Sequence, residues 1–308
     1  MMGTEQKSAF LAIVGRPNVG KSSLMNRLLG QKVAIVSKKP QTTRTRIMGV
    51  LTEGPDQLVL LDTPGLLKPK DRLGEFMVKS VESSVAGVDA AVLVTEAGAP
   101  VSHADVDLIA RFRAKKLPAV LCINKIDLLA DKSQLLGQIA ELTKQYDFAA
   151  VTPVSARTGS GIDALKEELK RLGTPGPHLF PDDALTDQSE RVLAAECVRE
   201  KILRLLQKEV PHGVAVVVDQ LRERSDGSCL DIHGEIYCER ANHKGILIGK
   251  NGSMLRKIGT LAREDLERFY DMKVNLQLYV LVRPNWRNQE AALRSLGFDS
   301  RDLTDPAS

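Results

Sequence analysis

GRPNVGKS, running from Gly15 to Ser22, is the stretch whose reading decides the fold. It fits the pattern G-x-x-x-x-G-K-[ST]. The apolar run FLAIV (Phe10 to Val14) precedes it and reads as a buried strand, and SLMNRLLG (Ser23 to Gly30) follows with helical spacing. A strand, a glycine loop and a helix in that order are the setting a phosphate-binding loop requires. Successive backbone N–H groups and a helix N-terminus form a cavity for polyphosphate oxygens. Gly15 and Gly20 let the backbone curl without Cβ clashes, Lys21 reaches the β- and γ-phosphates, and the Ser22 hydroxyl ligates Mg²⁺. A Gly-Lys-Ser turn on a surface is the bland alternative, and the flanking strand and helix argue against it. The implied ligand is a nucleoside triphosphate.

With 308 residues the chain has room for about two domains, each with its own core. Its 43% hydrophobic and 27% charged residues are ordinary for a soluble globular protein, and a net charge of +4 is too mild to name a partner by itself. Cys122, Cys197, Cys229 and Cys238 show no metal-ligand spacing, which fits a reducing cytosol. No run approaches the roughly 20 apolar residues of a membrane span. MMGTEQKSAF lacks the layout of a signal peptide, and Gly3 is one place too late for myristoylation. A cytoplasmic protein is expected.

From about residue 8 to 172 apolar runs alternate with amphipathic segments. Strands are expected at Phe10–Val14, Ile47–Leu51, Leu58–Asp62, Ala90–Thr95, Ala119–Ile123 and Ala150–Pro153. This pattern predicts an α/β domain with a doubly wound, mostly parallel sheet, in which Ile47–Leu51 and Leu58–Asp62 form an antiparallel hairpin at one edge. Ligands of such sheets bind at the carboxyl ends of the strands. GTPGPHLFPDDALTD, from Gly173 to Asp187, breaks the periodicity and reads as a linker. Beyond it the order is a helix (Gln188–Glu209), two strands (Val214–Leu221, Cys229–Glu239), a glycine-rich helical patch (His243–Tyr270) and a last strand (Val274–Val282). That order predicts a small α+β domain with a three-stranded sheet. The organisation expected is thus 1–173, a linker at 174–187, and 188–308.

The base is named by later motifs. NKID (Asn124 to Asp127) follows the apolar strand PAVLCI. Guanine presents N1–H and a 2-amino group as adjacent donors, and the Asp127 carboxylate can accept from both, whereas adenine offers no such pair. Asn124 would tie this loop to the phosphate loop, and the Lys125 stem would cover one face of the base. Ser155 and Ala156 fall just past another strand, where their N–H groups could meet guanine O6. Asp62-Thr63-Pro64-Gly65 ends a buried strand; Asp62 there holds Mg²⁺ through water, and the Gly65 N–H can approach the γ-phosphate. SKKPQTTRTR (Ser37 to Arg46) sits where a switch belongs, with a threonine completing the Mg²⁺ shell when GTP is bound. Thr43 is preferred to Thr42, although spacing alone does not decide. Lys21, Thr43 and Gly65 form the expected catalytic set, acting by charge and position with no covalent intermediate.

HKGILIGKNGSMLRKIG (His243 to Gly259) carries a second signal. Gly249, Lys250, Asn251 and Gly252 match the GXXG loop of a KH domain, whose glycines bring the backbone close to sugar-phosphate beside a groove for about four unstacked nucleotides. Ile246 and Ile248 would place apolar surface under the bases. From Arg240 through Lys257 there are five Lys or Arg residues and no acid, a local basic stripe that suits a nucleic-acid backbone; RNA is the partner expected here, and DNA is not. Trp286, in RPNWRNQ, could stack on a base, but packing beside a terminal helix is the favoured reading.

GRPNVGKS, QTTRTR, DTPG, NKID and SA, in this order and ahead of a type II KH layout and the closing ALRSLG (Ala292 to Gly297), resemble the Era family of translation-factor-related GTPases along nearly the full chain. The resemblance implies cycling between GTP and GDP with Mg²⁺, binding of 16S rRNA near its 3′ end, and a role in maturation of the 30S subunit. It also makes Asn18 a ligand for K⁺ near the β- and γ-phosphate oxygens. In the family Leu66 occupies the place of the water-orienting Gln of Ras-like proteins, which implies slow intrinsic hydrolysis. Ser23 stands where Thr is commoner. A monomer is expected. Two other readings compete: a KH half that docks proteins, and a peripheral binder of the inner membrane surface through the basic helix at Gln188–Glu209, against which Glu190, Glu196 and Glu200 argue.

Overall fold

The computed structural model describes residues 5–39, 41–65, 69–131 and 133–298. The first half comprises β1 (Lys7–Val14), α1 (Lys21–Leu29), β2 (Ile47–Glu53), β3 (Asp56–Asp62), α2 (Arg72–Ala86), β4 (Ala90–Glu96), α3 (His103–Lys115), β5 (Ala119–Asn124), α4 (Ser133–Thr143), β6 (Ala150–Pro153), α5 (Ile162–Lys170) and the two-residue β7 (Thr174–Pro175). The sheet runs β2-β3-β1-β4-β5-β6, with β7 pairing antiparallel to the start of β1. All other pairings are parallel except β2–β3, the expected hairpin, which turns through Gly54 and Pro55.

Alternation along β1 shows why helices cover both faces. Leu11 and Ile13 pack with Leu24 and Leu28 of α1 and Leu165 and Leu169 of α5. Ala12 and Val14 pack on the other side with Leu108 and Phe112 of α3 and Leu142 of α4. Period-two side chains on a strand buried on both faces produce this near-continuous apolar run. The five strand ends that carry motifs therefore open on one rim of the sheet.

The stretch expected as an irregular linker is instead strapped to the first sheet. The Gly176 N–H donates to Gln6 O and the Val50 N–H to Leu185 O, each at 2.9 Å. The buried Gln57 amide accepts from the N–H groups of Leu179 and Phe180 and donates to Phe180 O. Thr186 Oγ1 donates to Met48 O at 2.5 Å. Prolines and glycines abolished the periodic signal, yet the backbone still found partners on the exposed side of edge strand β2.

The second half comprises α6 (Glu190–Leu205), β8 (Val214–Glu223), β9 (Leu230–Cys238), α7 (Ala241–Ile248), α8 (Ser253–Tyr270), β10 (Val274–Val282) and α9 (Glu290–Ser295). Its sheet has the order β10-β9-β8, with β10 parallel and β8 antiparallel to β9. Ile236 and Cys238 meet Val198 and Ile202 of α6 and Ile258 and Ala262 of α8 in one core. α6 therefore turns Ala194, Val198 and Ile202 into the fold, while Val192 near its start stays exposed. No helix among the described residues is long and apolar enough to cross a membrane.

The two halves share a fourth cluster. Leu73 and Met77 of α2 pack with Ala215, Ala292, Leu293 and Trp286. Trp286 is fully buried, with its ring N–H donating to Gly213 O at 3.0 Å. The packing reading of this residue holds, and base stacking is excluded by its burial.

Candidate nucleotide and RNA sites

Gly15 to Gly20 leaves β1 and turns into α1 with backbone that only glycine accommodates at two places. A Cβ on Gly15 would lie 2.3 Å from Val94 O, and one on Gly20 would lie 2.4 Å from Asn124 Nδ2. The second clash is instructive, because Asn124 Nδ2 donates to Val19 O at 2.9 Å and so ties β5 to the phosphate loop as expected. The Lys21 ammonium rests on the carbonyls of Gly15 and Arg16, each at 3.1 Å.

Four oxygens converge below this loop. Ser22 Oγ lies 2.6 Å from Asp62 Oδ2 and 2.9 Å from Thr43 Oγ1, and Thr43 Oγ1 lies 3.3 Å from Asp62 Oδ2. Asp62 Oδ1 is buried without a partner among the described residues. Burial pushes the Asp62 carboxyl above its usual range against the pull of Lys21. A hard oxygen set with an uncompensated buried carboxylate fits Mg²⁺. Thr42 turns away, its hydroxyl donating to Lys39 O at 2.7 Å, so Thr43 is the threonine of the pair that the fold brings beside Ser22 and Asp62. Gly65 abuts the loop: a Cβ there would stand 2.7 Å from Pro17 N. Leu66 lies outside the described residues.

Burial also lowers the Lys21 pKa, to about 8, with Asp62 opposing. Bound phosphates favour the ammonium and raise that pKa, so above about pH 8 binding must take up a proton. Nucleotide affinity is expected to be flat below this value and to fall by up to about tenfold per pH unit above it. Calorimetry at about pH 8.5 in two buffers of different ionisation enthalpy reads the uptake directly; equal heats in both would refute it.

At the base end, Asp127 accepts from the Ser155 hydroxyl at 2.5 Å and pairs with the exposed Arg157 at 2.6 Å. The Ser155 hydrogen bond leads in holding its carboxyl below the usual range, with Arg157 assisting. The amides expected to meet guanine O6 are engaged within the protein: Ser155 N–H donates to Ser160 O and Ala156 N–H to Asn124 Oδ1. A buried Asn must satisfy its carbonyl as well as its amide, so guanine O6 would have to share the Ala156 N–H. Ser155 contributes instead through its side chain. Lys125 is steadied by Glu96 at 2.6 Å, a partner with no signal in the motif. Asn18 is exposed, in the left-handed region at φ 65°, and lines the same cavity. That cavity measures about 1290 Å³ and reaches Leu203, Arg204 and Gln207 of the second half.

Those KH residues mark a contact that no motif announced. Residues 32–39 and 41–45, which include Thr43, are held by α6 and the start of β8. The fully buried Glu200 accepts from Lys32 Nζ at 2.6 Å, the Val36 N–H at 2.9 Å and Arg204 Nη2 at 3.0 Å. Burial opposes the Glu200 charge, but these donors outweigh it and hold its pKa below the usual range. Arg199 donates to Thr42 O. Arg44 sends its two terminal nitrogens to Val214 O at 2.6 Å and His212 O at 2.8 Å, with the Trp286 ring centroid 5.8 Å from its carbon. Arg287 closes the far side by joining Asp71 at the head of α2 to Glu239.

In the second half, the expected single helical patch divides at Gly249–Gly252. Gly249 has φ 71° and a Cβ there would meet Met254 Cβ at 2.8 Å, while Asn251 and Gly252 are also left-handed, at φ 51° and 75°. Lys250 and Asn251 stand exposed at the tip. Ile246 is 46% exposed, whereas Ile248 is half-buried against the KH core. Tyr279 and Leu281, exposed on edge strand β10, are apolar surface that the motif did not reveal.

Two family models match separate parts of the chain. Residues 10–125 fit the model of the 50S ribosome-binding GTPase family and residues 209–287 that of the KH domain. The chain is 47% identical over 292 residues to GTPase Era of Ruminiclostridium cellulolyticum, covering 95% of this chain and 97% of that one. The chain belongs to the Era family of GTPases. It is also 45% identical over 295 residues to GTPase Era of Clostridioides difficile, with 96% and 99% covered. Among solved structures, a point variant of Aquifex aeolicus Era bound to GDP·AlF4⁻ superposes with a TM-score of 0.91 at 38% identity, over 95% of this chain and 99% of that one. Era in complex with MgGDPNP and nucleotides 1506–1542 of 16S ribosomal RNA gives the same score, identity and coverage.

Proposed function

We propose that this chain hydrolyses GTP to GDP and phosphate, binds 16S ribosomal RNA near its 3′ end through its KH half, and assists assembly of the 30S subunit. The observation that carries the coupling is the adjacency of Thr43 and Arg44. One lies in the metal site and the other is buried in the KH interface, so nucleotide contacts and domain docking share one short segment.

In this reading Lys21 and the loop amides hold the β- and γ-phosphates, and the Gly65 N–H meets the γ-phosphate where charge accumulates during transfer. Mg²⁺, when bound, neutralises the phosphate oxygens, and Ser22, Thr43 and, through water, Asp62 would hold it. Asn124 and Lys125 shape the base pocket, Asp127 selects guanine, and Ser155 and Ala156 support that selection. With no water-orienting Gln expected at position 66, intrinsic hydrolysis is slow. Gly249, Lys250, Asn251 and Gly252 take the RNA backbone, and Ile246 offers a stacking surface. A single chain is the working unit, since both parts of the switch contact meet within it.

The same reading gives Asn18 a place as a K⁺ ligand, supported by its exposed position on the phosphate loop. GTP turnover is then expected to rise severalfold when Na⁺ is replaced by K⁺, and Asn18→Ala to remove that rise; equal turnover in both salts counts against it.

The function as a whole is tested by titrating the purified protein with a single-stranded fragment of the 3′ end of 16S rRNA, in the GTP-analogue and GDP states. Different affinities in the two states support the coupled switch. Equal affinities would leave the KH half a constitutive anchor, and no binding would favour a protein-docking role.

A further inference from the structure

Between α6, β8 and the C-terminal turn lies a second cavity, of about 210 Å³. Arg44, Arg191 and Arg199 line it against a single carboxylate, Glu196, an excess of two positive charges. Arg44 and Arg199 are only 3% and 2% exposed. Glu196 is already spent on Arg199, accepting from Nε and Nη2 at 2.6 Å each. Arg44 donates to two backbone carbonyls, lies over the Trp286 ring and forms no ion pair among the described residues. Each arginine keeps one buried donor, Arg44 Nε and Arg199 Nη1, without a partner among the described residues. A guanidinium does not give up its proton in a protein, so two buried guanidinium groups that each keep an unpartnered donor call for a counter-charge.

We propose that this interdomain cavity binds a free tetrahedral oxyanion of the inorganic phosphate class, held between Arg44 and Arg199. Two unpartnered buried donors on separate guanidinium groups suit an anion with several acceptor oxygens, and two surplus charges suit a dianion. The volume lies below the roughly 300 Å³ at which pockets for larger organic ligands begin, which excludes a nucleoside. The exposed Arg191 and Val192 form the entrance. Because Arg199 also holds Thr42 O and Arg44 follows Thr43, the bound anion fastens segment 42–45 to α6 and strengthens domain docking.

The test uses full-length protein loaded with Mg²⁺ and a non-hydrolysable GTP analogue, so that every phosphate seat of the nucleotide loop is filled. Calorimetric titration with inorganic phosphate in chloride buffer should show one saturable site. Arg199→Gln should weaken it at least about tenfold, as expected for loss of a charge-assisted bond. Val192→Glu, a change at an exposed position, should place a carboxylate at the entrance, abolish phosphate binding, and raise the melting temperature in phosphate-free buffer by about 2–4 °C. Absence of saturable binding in the parent protein overturns the proposal. So does phosphate binding that Val192→Glu leaves undiminished, whatever the fate of the Arg199 variant.

Discussion

Asp127→Asn lowers affinity for GTP by about 10²–10⁴-fold and raises that for xanthosine triphosphate. The carboxylate stands ready with two acceptor oxygens, one steadied by the Ser155 hydroxyl at 2.5 Å and the other paired with Arg157 at 2.6 Å. Arg157 has 72% of its side chain exposed, so opening that pair for the base costs little. Guanine then offers N1–H and the 2-amino group, and each bond to a charged acceptor contributes about 1.5–3 kcal/mol. Asn keeps one acceptor and turns a donor toward a donor, losing both charge assistance and complementarity. Xanthine carries a carbonyl where guanine has the amino group and accepts from that new donor. Equilibrium binding of the two triphosphates to parent and variant is the measurement. A variant that still prefers GTP would remove Asp127 from the base pocket.

This pocket was legible in sequence because its parts are local. GRPNVGKS, DTPG and NKID each follow an apolar strand, and a parallel sheet brings all such strand ends to one rim. What escaped is what depends on neighbours far along the chain. Thr42 and Thr43 are adjacent in an aperiodic loop, and only the approach of Ser22 and Asp62 distinguishes them. The Ala156 N–H looked available for guanine until Asn124, 32 positions earlier, turned its carbonyl onto it.

The strap from Gly173 to Asp187 and the domain interface were illegible for a related reason. A stretch with three prolines carries no periodic signal, and its order comes from Gln57 and the edge of β2 rather than from its own spacing. Arg44 reads as one more basic residue in TTRTR. Its carbonyl partners at His212 and Val214, 168 and 170 positions away, appear only when the KH half docks. RPNWRNQ does not by itself separate stacking of Trp286 from packing, and the same docking buries it. Element types were thus readable from periodicity, whereas contacts between the two halves required the fold.

Simultaneous replacement of Lys250 and Asn251 by Asp reduces affinity for the 3′-terminal 16S rRNA fragment by about a hundredfold or more and leaves GTP binding unchanged. The loop is built for close approach to a phosphate backbone. Gly249, Asn251 and Gly252 all take left-handed φ values, and Lys250 stands exposed between them. Turning an attractive contact into a repulsive one, and removing a hydrogen-bonding amide, together cost about 3–4 kcal/mol. Folding should survive, because both side chains are exposed and the glycines that shape the turn stay in place. The salt dependence separates this role from a general loss of structure. Each phosphate contact contributes about −0.7 to the slope of log affinity against log salt for a single strand, so the variant should show a shallower slope as well as a weaker constant. Conversely, Lys170, which is paired with Glu53 at 2.9 Å on the GTPase half, is far from this loop in the chain and serves as the control. Its change to Asp should leave both slope and constant in place. If the double variant binds with the parent slope and affinity, the exposed tip of the glycine loop is not where RNA is held, and the apolar edge of β10 with Tyr279 and Leu281 becomes the surface to test next.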